Sequence, residues 1–145
     1  MSWCEQRFHY RFKDDILLQT ALTHRSHSVD NNERLEFLGD AALDLVISEL
    51  LYQSSSKQTE GSLSRMRSSL VKGNTLAELA KELDVGDYLI LGKGENTSGG
   101  RERLSLLSNA LEAMIGAIFL DGGYAAVKNV IIKIFDSRIQ ALDPK

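Results

Sequence analysis

The chain has 145 residues, 43% of them hydrophobic and 26% charged, with a net charge of −3. These values are ordinary for one soluble globular domain with one core. The acidic balance argues against a uniformly basic nucleic-acid binder, but net charge does not fix distribution: basic groups can line one rim while acids fill a metal pocket. Cys4 is the only cysteine, which rules out an intrachain disulfide and fits a reducing cytoplasm. The start, Met1-Ser2-Trp3-Cys4-Glu5, lacks the basic and apolar stretches of a signal peptide. No unbroken apolar run approaches the roughly 20 residues of a membrane span, and no membrane partner is expected.

In chain order, Ser2 with Glu5 forms a candidate capping box, predicting a short helix through about Phe12. Asp14 or Asp15 caps the next, which carries Ile16, Leu17, Leu18, Ala21 and Leu22 and ends near 23–26. The polar stretch Ser26 to Asn32 reads as a loop. Glu33 to Tyr52 is the strongest helix. Leu35, Phe37, Leu38, Ala41, Ala42, Leu43, Leu45, Val46 and Ile47 surround most of its circumference, the pattern of a buried helix. Gln53 to Thr59 is a connector, and Glu60 to Val71 a helix. Gly73 interrupts, and Thr75 with Glu78 restarts a helix that ends near Leu83. Val85-Gly86 turns the chain. Gly92 to Gly100 holds four glycines and predicts a mobile loop. A helix over 101–120 stops at Asp121-Gly122-Gly123, and a last helix runs from Tyr124 to about Leu142. No internal repeat, low-complexity tract or second domain is visible.

Glu33, Glu36 and Asp40 stand at offsets of three and seven. At about 100° per residue these return to one helix face. Two carboxylates about 4 Å apart repel by roughly 4 kcal/mol at an effective dielectric of 20, so a buried set needs an arginine or a divalent cation. Hard cations such as Mg²⁺ prefer oxygen ligands and commonly take only one or two carboxylates. Spacing alone is met equally by a solvated helix face beside Arg34. Asn109 and Glu112 repeat the pattern in an otherwise apolar helix, and two such helices make a shared metal site more plausible than either alone. His24-x-x-His27 lacks cysteine partners and leads into a loop, which favours a bland role over metal binding. No Glu-x-x-His pair supports a di-iron bundle, and Gly92-Lys93-Gly94 lacks the spacing of a phosphate-binding loop. Arg65, Arg67 and Lys72, and Lys93, Arg101 and Arg103 around the glycine-rich loop, are candidate phosphate contacts, although a solvated surface is the default for any one of them.

The nine-residue string Asn32-Glu33-Arg34-Leu35-Glu36-Phe37-Leu38-Gly39-Asp40 resembles the defining motif of the ribonuclease III family. Matching segments follow the family order: Ala21-Leu22-Thr23-His24-Arg25-Ser26, Glu60-Gly61, Ser64-Arg65-Met66-Arg67, Gly73-Asn74-Thr75-Leu76, Gly99-Gly100-Arg101-Glu102-Arg103 and Leu111-Glu112-Ala113. The resemblance covers about Phe8 to Ile139 and implies an all-α, dimeric ribonuclease III endonuclease fold, with 1–145 as one catalytic domain. It places Glu36, Asp40, Asn109 and Glu112 at metal positions, with Asp40 and Glu112 as the catalytic pair. It makes Glu33 and Glu60 supporting acids of the cleft, and Phe37 an aromatic that inserts into a cavity of a second copy. The implied activity is Mg²⁺-dependent hydrolysis of both strands of double-stranded RNA, with Mn²⁺ able to substitute. The implied products carry 5′-phosphates and short 3′ overhangs, as in ribosomal and other RNA processing in the cytoplasm. A symmetric dimer offers two equivalent sites to two antiparallel strands, and duplex RNA is read by shape, phosphates and 2′-hydroxyls.

Two departures from the family pattern stand out. The sequence stops at Asp143-Pro144-Lys145 with no double-stranded-RNA-binding domain, as expected either of an excised catalytic domain or of a protein that works without that module, with weaker substrate affinity. Asn109 stands where the family usually has Asp, which bears on metal occupancy and turnover. An active endonuclease is favoured by Glu36, Asp40 and Glu112. Asn109 and the missing binding module keep a competing reading open, a weakened member that binds duplex RNA or assembles with a partner. A metal-free helical scaffold would have no need of these acids. Asp44, one turn beyond Asp40, has no assigned role.

Overall fold

The computed structural model describes residues 2–54 and 56–142. The chain end at 143–145, and Ser55 within the expected connector, lie outside the described residues. Helix α1 spans Trp3–Phe8, α2 Asp15–Leu22, α3 Glu33–Ser54, α4 Glu60–Val71, α5 Gly73–Glu82, α6 Val85–Tyr88, α7 Lys93–Thr97 and α8 Leu104–Gln140, with a 3₁₀ turn at Gly100–Glu102. Among the described residues the only extended pairing is one isolated parallel bridge between Thr23 and Ile90. The fold is all-α, as expected.

The core forms around α8, against which α3 packs most extensively, followed by α5 and α2. Leu107, Leu111, Met114, Ile115 and Ile118 of α8 are fully buried against Leu43 and Ile47 of α3 and Leu76 and Leu79 of α5. By length and composition alone α8 is apolar enough to cross a membrane. Its apolar sides, however, are the centre of this core. The sequence expects two helices here, and the backbone agrees. At Gly123 φ is 86° and ψ −178°, a conformation that breaks the helical path and that a side chain rarely adopts.

Several expected boundaries shift for local reasons. Helix α1 stops at Phe8, not Phe12, because His9 takes a left-handed φ of 58° and donates its N–H to Glu5 O. Beyond it the aromatic residues serve other purposes: the Tyr10 hydroxyl donates to Asp121 at 2.6 Å, and Phe12 is buried. Asp121 also accepts the backbone N–H groups of Lys13 and Asp14, which ties the α1–α2 link to the middle of α8. Helix α5 starts at Gly73, and Thr75 is not its cap; the Thr75 hydroxyl donates to Ser69 O at 2.8 Å instead. Val85-Gly86 opens the short helix α6 where a turn was expected. The expected glycine-rich loop contains α7 and the 3₁₀ turn, held by two arginines. Finally, α3 is not buried all round. Phe37 is 82% exposed, Leu45 57% and Tyr52 76%, and Ala41 is exposed with them, so one apolar stripe of α3 faces outward.

Candidate metal centre at the crossing of α3 and α8

Helix α3 begins where the Asn31 side-chain oxygen accepts the Glu33 N–H at 3.0 Å and Asn32 O accepts the Glu36 N–H at 2.8 Å. Asn32 is itself buried and donates its side-chain amide to Ala21 O at 3.1 Å. The start of α3, and with it the azimuth of every acid on that helix, is thereby fixed to the end of α2. Glu33, Glu36, Asp40 and Asp44 follow at intervals of three or four residues along one face. Asn109 and Glu112 come from α8, one turn apart.

The crossing brings Glu112 against the α3 acids. Its carboxyl is pushed up to about 8, first by burial, then by a hydrogen bond with Asp40 and by the charges of Asp40, Glu36 and Asp44. Glu36 is raised by burial and by Glu33 and Asp40. Asp44 is raised by burial and by Asp40, with Arg67 opposing. Negative charge is thus concentrated beyond what the fold neutralises, the condition that a bound cation relieves.

Beside this cluster a cleft of about 290 Å³ is lined by His24, Arg25, Asn32, Glu33, Glu36, Leu89, Ser105, Leu106 and Asn109. Glu33 is exposed and lies 3.9 Å from Arg25, at the outer limit of an ion pair. The donor set of Glu36, Asp40, Asn109 and Glu112 is all oxygen, which fits a hard divalent cation. As the side chains stand, no three His, Cys, Asp or Glu groups among the described residues converge closely enough to hold an ion directly. Mg²⁺ needs only one or two direct carboxylates, the rest of its shell being water.

Not every expected residue is at the cleft. Glu60 opens α4 and lines a different cavity, of about 590 Å³, with Leu45, Tyr52, Leu63 and Arg67, so within one chain it does not join the acids of α3 and α8. Arg67 donates to the Ser48 hydroxyl at 2.9 Å. Arg101 is spent inside the fold, donating to Leu89 O at 2.7 Å, Gly86 O at 3.1 Å and the Asn96 side chain at 2.9 Å. Arg103 is paired with Glu95. Arg65, Lys72 and Lys93 remain exposed. Two residues carry more than sequence reasoning gave them. Asp44 belongs to the electrostatic cluster, and its offset of four from Asp40 was the available signal. His24 lines the cleft, and nothing in its spacing pointed there.

An all-α domain in which two crossing helices present oxygen donors to one acidic cleft is the class that this geometry defines. The family model described as Ribonuclease-III-like matches residues 14–138, and the chain belongs to that family. It is 52% identical over 133 residues to the "Ribonuclease 3" of Nitrosococcus oceani, covering 92% of this chain but 57% of that relative. The chain therefore spans rather more than half the length of such relatives. A solved nuclease domain of ribonuclease III from Campylobacter jejuni superposes with a TM-score of 0.92 at 44% identity, covering 96% of this chain and 98% of that one. That structure is described for flexibility in the region involved in its dimer formation. Dicer from Pichia stipitis matches with a TM-score of 0.71 at 27% identity, covering 91% of this chain and 59% of that one.

Proposed function

We propose that the chain is the catalytic domain of an endoribonuclease that hydrolyses both strands of double-stranded RNA in a divalent-metal-dependent reaction. The observation that carries this reading is the Glu112 carboxyl. It is pushed up to about 8 by burial and by Asp40, Glu36 and Asp44 at a helix crossing, in a chain of the ribonuclease-III-like family. Asp40 and Glu112 form the centre, and Glu36 and Asn109 complete the donor set. Mg²⁺, or Mn²⁺ in its place, would be held by these four residues. When bound, such a cation lowers the pKa of a water and stabilises charge developing on the phosphoryl group. The chain's own part is to fix the acids on two helices that cannot move independently, and to bring the backbone of the RNA to them through the cleft beside Glu33 and Glu36. Arg65, Lys72 and Lys93 supply phosphate contacts at the rim. Products with 5′-phosphates and short 3′ overhangs, made in the cytoplasm during RNA processing, complete the reading.

The active form is a homodimer. The exposed Phe37, Ala41, Leu45 and Tyr52 share one face of α3, and the cavity beside Leu45 and Tyr52 is a recess on the same face. A second copy meeting that stripe would cover both.

The test is incubation of the purified chain with long duplex RNA, with Mg²⁺ and with a chelator. Size-limited duplex products only in the presence of Mg²⁺, and their loss in Glu112→Gln, are expected. Cleavage that persists with the chelator, or no cleavage at any Mg²⁺ concentration, would overturn the reading.

A further inference from the structure

His24 is held by an arrangement that fixes more than its position. The backbone around it is clamped: His24 N–H donates to Ile90 O at 2.9 Å, and Asn32 N–H to Thr23 O at 2.9 Å. Ser26 folds back against the Nδ1 edge of the ring, its N–H lying 3.1 Å from His24 Nδ1. A backbone N–H can only donate, so Nδ1 accepts. The Ser26 hydroxyl lies 2.8 Å from the same nitrogen and accepts the Gly92 N–H at 2.8 Å, which leaves its own proton free to point at Nδ1 as well. The fit is tight, because a Cβ on Gly92 would collide with the backbone of Ser26. A neutral imidazole whose Nδ1 accepts carries its proton on Nε2. The Ser26 turn therefore selects one tautomer.

The opposite edge of the ring has no protein hydrogen bond among the described residues. His24 lines the acidic cleft with Arg25, Glu33, Glu36 and Asn109, whereas Ser26 does not. The ring thus offers an N–H donor at a cleft lined by Glu33 and Glu36, next to an arginine only loosely tied to Glu33. A polyanion approaching that floor needs donors at its edge, and the 23–32 segment supplies two of them, His24 and Arg25.

We propose that His24 contacts RNA directly: its Nε2–H donates to a non-bridging oxygen of a backbone phosphate entering this cleft, and Ser26 is the positioning residue that sets the tautomer. The inference rests on the duplex-RNA reading and adds to it one binding residue and its support. A role limited to holding the loop would engage only Nδ1.

The two ring nitrogens can be tested separately. An asparagine oxygen stands near Nδ1 and keeps the acceptor for Ser26, but its side chain does not reach the Nε2 position. A glutamine amide reaches the Nε2 position with a donor. Both substitutions are made in a Glu112→Gln background, which blocks cleavage, and binding of a short labelled RNA duplex is measured by fluorescence anisotropy beside thermal melting. A hydrogen bond to a charged phosphate corresponds to about a tenfold loss of affinity or more when removed. His24→Asn should lose about that factor with an unchanged melting midpoint, and His24→Gln should recover most of it. The reverse pattern, with Asn binding like the parent and Gln weakened and less stable, would show a purely structural histidine and overturn the proposal. If Asn fails to fold, Gln decides: affinity close to the parent supports the contact, and a tenfold loss overturns it. If the parent itself binds no duplex, the duplex-RNA reading fails and the proposal falls with it.

Discussion

Gly39 on α3 and Gly116 on α8 meet backbone to backbone, and their contact sets the spacing of the acids at the helix crossing. A Cβ on Gly39 would land on the carbonyl of Glu112 and 2.9 Å from Gly116 N, and one on Gly116 would strike the carbonyl of Leu35. Asp40 follows Gly39 directly, and Glu112 lies one turn before Gly116. The absence of two side chains is therefore what allows the Asp40 and Glu112 carboxyls to come close enough to perturb each other.

Gly39→Ala should accordingly harm stability and site together. The obstacle is backbone on both sides, so relief requires the helices to separate. Overpacking typically costs about 1–3 kcal/mol and occasionally more, and the expected loss here is at the top of that range. Chemical denaturation checks the energy. Mg²⁺-dependent cleavage at a temperature where the variant remains folded checks the geometry. Wild-type stability would mean that the two helices adjust independently of this contact.

The same contact shows how far the sequence is legible. The acids of α3 and the Asn109–Glu112 pair are readable because helical periodicity turns spacing into a shared face. That the two faces meet is not, because it depends on tertiary close approach at Gly39 and Gly116. Helical periodicity by itself places the outward-facing Leu45 in the core for a related reason, and only the family resemblance turns Phe37 outward. An apolar residue satisfies the helix pattern equally whether its neighbour lies in the same chain or in another. Arg101 and Arg103 count as free cations until the fold supplies the carbonyls and the carboxylate that occupy them. Gly123 is legible because glycine at a positive φ ends a helix wherever it falls.

Stability of the metal-free protein should fall as pH rises from about 5 to about 8 on account of Glu112. Its folded-state pKa is raised from the ordinary 4.5 to about 8, with burial the largest cause. Within that window the unfolded chain has released the proton and the folded chain retains it. Unfolding therefore releases a proton, and stability declines with pH until the folded carboxyl also ionises. Glu36 adds a contribution of the same sign, since it too is raised. Thermal melting in chelator across this range measures the slope, and Glu112→Gln should flatten most of it. Mg²⁺, which takes the ionised form, should restore the melting midpoint most strongly at the alkaline end and release protons as it binds. A melting midpoint independent of pH in chelator would contradict the coupling among these acids.

Phe37→Ala should weaken self-association. The side chain is 82% exposed in the single chain, beside Ala41 and Leu45 on the same face, and has little intramolecular packing to lose. Truncating a central aromatic anchor costs about 2 kcal/mol or more, roughly a 30-fold rise in the dimer dissociation constant. Sedimentation equilibrium measures the constant, and melting of the dilute monomer should change little. If the wild-type chain is monomeric at every concentration, the stripe has another purpose.

Asn109→Asp should raise activity at low Mg²⁺ at some cost to the metal-free fold. Asn109 is half-buried one turn before Glu112 and lines the cleft with Glu33 and Glu36. Its side-chain oxygen is an acceptable ligand for a hard cation. It supplies no charge, however, and its amide group cannot accept a hydrogen bond from a metal-bound water as a carboxylate oxygen does. A carboxylate here would stand among acids whose proton affinities are already raised by burial and by one another. Without metal that extra charge should lower the melting midpoint above about pH 6 and steepen its decline with pH. With metal the same charge is an asset. Altering even outer-shell partners shifts affinity or activity by about 10–100-fold, so the Mg²⁺ concentration for half-maximal cleavage should fall by about tenfold or more. At saturating Mg²⁺ the two forms should converge, because the cation then occupies either site. Cleavage rates titrated against Mg²⁺, paired with melting curves in chelator, test both halves. Superimposable titrations would mean that Glu36, Asp40 and Glu112 hold the cation without help from this position, and that the asparagine is neutral.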